Sequence, residues 1–164
     1  MVKNRFPLRQ AGALALLLSV AAPERSAAAE TRADPAAVVA DWRTGLALYG
    51  FDPVAYFADG KPAAGLPELE GTTGALTWRF RNEGNRAAFE ADPEAYLPRF
   101  GGHDPVALAR GAVSAGNPLI WLVHDQRLYL FHDPAAQAAF AADPDTATAA
   151  AAARWPGLQA QARP

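Results

Sequence analysis

A chain of 164 residues, 51% apolar and 20% charged, has the make-up of one globular domain large enough to bury a core without staples. A net charge of −2 with intermixed signs and no basic cluster argues against nucleic acid and anionic lipid as partners. The absence of cysteine excludes thiol redox catalysis, thiolate metal ligation and disulfides.

The first segment reads as a secretory signal over residues 1–29. Lys3, Arg5 and Arg9 precede an apolar stretch from Ala11 to Ala22, Pro23 breaks it, and Ala27-Ala28-Ala29 offers small residues for cleavage. An uncleaved anchor is the alternative, but the stretch falls short of the roughly 20 apolar residues that span a bilayer. The reading therefore places the mature chain in the periplasm or outside the cell, without membrane insertion. Its loss would leave a mildly acidic protein. Residues 30–43 read as a linker.

From about residue 44 the chain repeats itself. Asp52-Pro53-Val54-Ala55 recurs as Asp104-Pro105-Val106-Ala107, and Ala87-Ala88-Phe89-Glu90-Ala91-Asp92-Pro93 recurs as Ala138-Ala139-Phe140-Ala141-Ala142-Asp143-Pro144. The two blocks recur at nearly equal offsets, with Asp-Pro and Phe kept in place, which chance matching of Ala-rich sequence does not produce. The expected units are 44–100 and 101–156.

In chain order, Val54–Phe57 reads as a strand turned back by Asp59-Gly60. Leu76–Phe80 is an aromatic strand with alternating pattern. Asn82 is placed to cap a helix that carries Glu83 in its first turn and turns Phe89 inward. In the second unit, residues 107–111 read as a short helical turn ending at Gly111. A hairpin follows, with Ile120–Val123 and Leu128–Phe131 flanking the turn 124–127. Asp133-Pro134 opens the next helix, with Pro at the tolerated first position. Each of these helices ends at an Asp-Pro, since the residue before Pro is pushed out of helical space. A last helix spans about Thr146 to Arg154, and residues 158–164 read as a disordered tail. The expected fold class is α+β: two tandem units, each a small antiparallel hairpin followed by a helix, sharing one core. The aromatics at alternating strand positions read as that core rather than as a pocket lining.

The run from Leu48 through Tyr49-Gly50-Phe51-Asp52-Pro53-Val54-Ala55-Tyr56-Phe57, with Asp59-Gly60-Lys61-Pro62, Trp78, Phe80, Asn85-Arg86, Phe89, Asp92-Pro93, Tyr96, Phe100-Gly101-Gly102 and Trp155-Pro156, resembles the YHS domain family in its exported tandem form. The resemblance spans about residues 44–156. It implies a treble-clef-related fold and a place in the handling of copper or another metal. The cysteine positions of the metal-binding form hold Ala55, Arg81 and Asn85 in the first unit and Ala107, His132 and Ala136 in the second. The Tyr-Cys pair that follows Gly-Gly in the exported form is His103-Asp104 here.

These correspondences make His103, Asp104 and His132 the candidate ligands for a divalent ion such as copper or zinc, which imidazole and carboxylate suit. Each has a plainer reading. Asp104 matches Asp52 and stands before Pro, where Asp commonly caps or turns. His132 sits at a helix entry, and His124 in a hairpin turn reads as solvated. His124 and His132 are held apart by a strand spanning roughly 13 Å or more. His103 and Asp104 could also act as a base and its orienting partner. The chain has no Gly-rich phosphate loop, serine elbow or paired-His helix motif, so the expectation is a protein that is not an enzyme. Two functions stay open: an exported metal-handling module, with a metal ion or another exported protein as partner, or a structural or protein-interaction domain that kept the fold without the site.

Overall fold

The computed structural model describes residues 37–162. Residues 1–36, with the segment read as a secretory signal, and residues 163–164 lie outside them. The fold is α+β, with two small antiparallel two-stranded sheets each followed by helices. The first unit opens on a 3-10 turn, Leu48–Gly50. It continues through α1 (Ala55–Ala58), β1 (Leu66–Thr73), β2 (Leu76–Phe80), α2 (Glu83–Ala91) and α3 (Pro93–Tyr96). The second opens on the turn Arg99–Gly102, then α4 (Pro105–Ala109), β3 (Asn117–His124), β4 (Arg127–Phe131), α5 (Pro134–Ala142) and α6 (Pro144–Leu158). Strands and helices of the second unit start 51 residues after their counterparts, from β1 and β3 through α3 and α6.

The caps follow the sequence. Asn82 accepts from the Asn85 N–H at 2.8 Å and Asp133 from the Ala136 N–H at 2.8 Å, and Pro134 takes the first position of its helix. Asp92 and Asp143 end their helices in the same non-helical conformation, with φ near −150° and ψ near 80°. Phe89 and Phe140 both face inward.

Four segments differ from expectation. Residues 55–58 are helical, not a strand, because the Asp52 carboxylate accepts from the Val54 N–H and starts a turn that Pro53 favours. The hairpin turn between β3 and β4 is two residues, Asp125-Gln126, both with positive φ as this tight turn demands. The last helix runs from Pro144 to Leu158, and the stretch read as a disordered tail continues as a 3-10 turn, Gln159–Gln161, with Ala162 buried. The stretch read as a linker places Ala37, Val38 and Val39 in the interior.

Period-two patterning divides the interior in two, where one shared core was expected. In β4, Leu128 and Leu130 join a cluster with Tyr56, Trp78, Phe80 and Phe89 of the first unit. The alternating Tyr129 and Phe131 join Leu108, Phe140, Ala151 and Trp155 on the other side. The second hairpin is thus a wall with a core against each face, and β4 is apolar at every position from Leu128 onward, as a strand buried on both faces should be. β2 alternates buried with half-exposed because only one of its faces is covered.

The segment Ala37–Val39 ties the two units together. The Val39 N–H donates to Gly101 O at 2.7 Å, and Val39 O accepts from Leu48 at 2.9 Å. Gly101 has φ +63°, and a Cβ there would lie 2.1 Å from Ala37 O. Only glycine fits that crossing.

Candidate functional site

The repeat makes the paired aspartates the best-defined polar positions. Asp52 is wholly buried. Its Oδ1 accepts from the Val54 N–H at 2.8 Å, and its Oδ2 from the Arg81 N–H at 2.8 Å and the Asn85 amide at 2.7 Å. Asp104 is equally buried. Its Oδ1 accepts from the Val106 and Ala107 N–H groups at 2.8 and 3.2 Å, and its Oδ2 from the His132 N–H at 2.9 Å. Each carboxylate therefore braces the start of its short helix against the residue that follows its second strand. Charge-assisted bonds of this kind to backbone donors are among the stronger ones in a fold.

His103 lies in an extended segment after Gly102, buried, with its ring 5.6 Å from that of Trp155. Its Nδ1 stands 3.1 Å from Phe100 O. A carbonyl only accepts, so this bond fixes the proton on Nδ1 and leaves the Nε2 lone pair in the neutral ring. Burial holds the imidazole below its usual range, against a smaller upward pull from the Phe100 carbonyl. His132 is exposed and joins Asp104 through its main chain. The three candidate ligands are thus neighbours in the fold. Among the described residues, however, no group of three or more His, Cys, Asp or Glu side chains is placed to hold a metal ion.

His124, read as solvated, instead pairs through Nε2 with Asp145 Oδ1 of α6 at 2.8 Å, its ring nearly perpendicular to that of Phe140. In the first unit the Asn85 amide serves Asp52, and the Arg81 side chain forms an ion pair with Asp59. Ala55 is buried.

Sequence reasoning missed a second feature, an open cleft of about 480 Å³ between α1 and β3, lined by Tyr56, Phe57, Gly60, Trp121, Leu122 and Val123. Tyr56 forms its floor. The hydroxyl donates to Pro118 O at 3.0 Å and the ring meets Trp121 edge-on at 5.4 Å. Burial pushes that hydroxyl's pKa well up, with the Asp52 charge adding to the effect, so it stays a donor. A third repeated block, Ala64-Gly65-x-Pro67 and Ala115-Gly116-x-Pro118, marks the strand entry beside this seam and was the available signal. Gly65 and Gly116 are required there, since a Cβ would come within 2.4 and 2.5 Å of neighbouring atoms.

Among the described residues, two aromatics face solvent. Trp42 is 81% exposed on a turn pinned by Asp41, whose Oδ1 accepts from Arg43 and Thr44. Tyr49 is 47% exposed with φ +53°, where the second unit has Gly101. Comparison of the chain with protein-family models, curated proteins and solved structures finds no match in any of the three.

Proposed function

We propose that this is an exported, non-catalytic domain of YHS type that acts through protein contacts, its candidate ligand Asp104 serving, like Asp52, as an internal brace. The observation that carries the reading is the use made of Asp52 and Asp104. Both oxygens of each carboxylate already accept from backbone or amide N–H groups, so a cation there would compete with those donors. Trp42 and Tyr49 support it further, since an exposed aromatic is the kind of anchor that interfaces favour.

A second reading, the handling of a divalent ion such as copper or zinc through His103, Asp104 and His132, draws on one feature. The His103 tautomer leaves the Nε2 lone pair free of the Phe100 bond. Calorimetric titration of Cu²⁺ and Zn²⁺ separates the two. The interaction reading expects no heat beyond that of a His103→Ala control. Stoichiometric binding that the control abolishes would establish the metal reading instead. A photo-crosslinking residue at position 42 should give a discrete adduct in the organism's own envelope, and its absence there would remove the main support for a partner.

A further inference from the structure

We draw no further inference here: the strongest candidate, the open cleft between α1 and β3 floored by Tyr56 and Trp121, is an uncovered apolar groove, and nothing in the structure shows what covers it.

Discussion

Asp52 and Asp104 are the same brace built with different completeness. In the first unit the Asn85 amide adds a side-chain bond to the carboxylate; the equivalent position in the second unit is Ala136, which cannot. A hydrogen bond to a charged acceptor contributes about 1.5–3 kcal/mol, so Asn85→Ala should cost roughly that much. Ala136→Asn should recover part of it in the second unit. Chemical denaturation checks both, as a shift of midpoint at constant slope. His103 gives a pH dependence. Its folded-state pKa lies below the ordinary 6.5, so the unfolded chain takes up the proton first as the solution is acidified. The stabilisation is complete above that ordinary value and is lost as pH falls from there through the folded-state value. Thermal midpoints of the wild type should therefore drop more steeply between about pH 7 and 5 than those of His103→Gln, which keeps a donor for Phe100. Parallel declines would show that the imidazole carries no such linkage. The turn at Asp104 was legible because Asp-Pro constrains its neighbours whatever surrounds it, whereas the same turn at Asp52 was read as leading into a strand. The burial of His103 was not legible, because it depends on Trp155, more than fifty residues along the chain.

At the scale of elements, the two hairpins share a plan and differ on one face. Glu70, Thr72, Thr77 and Arg79 of the first stand where Trp121, Val123, Leu128 and Leu130 stand in the second. The first set is exposed or half-exposed, with Arg79 and Glu70 paired directly across the strands at 2.9 Å. The second set packs against the first unit's core. Leu128→Thr should therefore cost about 3 kcal/mol, through lost burial and a hydroxyl in an apolar wall. Thr77→Ala at the matching position should stay within about 0.5 kcal/mol, as half-exposed changes usually do. Near-equal losses in equilibrium unfolding would contradict the two-core arrangement. This asymmetry was present in the sequence as Leu-Thr-Trp-Arg-Phe against Arg-Leu-Tyr-Leu-Phe. Both read as aromatic strands, and periodicity says how many faces are buried without saying what buries them. The helical turn at 55–58 was misjudged because Val, Tyr and Phe favour strands, while the Asx turn at Asp52 decides the local backbone.

At the scale of the molecule, the second hairpin stands between the two cores, serving as lid for the first and floor for the second. The segment Ala37–Val39 fastens the stack, and its tightest crossing is Gly101. Gly101→Ala puts a methyl group on a carbonyl in a left-handed conformation, so the strap must lift. The expected loss is about 3 kcal/mol or more, with faster amide exchange at Val39 and Leu48, whose N–H groups make the strap's bonds. Unchanged exchange at those two amides would mean the strap does not hold the units. The duplication was legible in the sequence; the stacking was not, since nothing local states which face of one copy meets the other. The two ends are finished differently: Glu70, Thr72, Thr77 and Arg79 form a polar outer wall at one, and α6 closes the other by laying Ala151 and Trp155 over the second core. In stacked arrays the end units carry such capping surfaces. A further copy could be accommodated between the existing two if it combined the apolar wall of β3 and β4 with a final helix as short as α3. Copies appended at either terminus would meet surfaces already sealed.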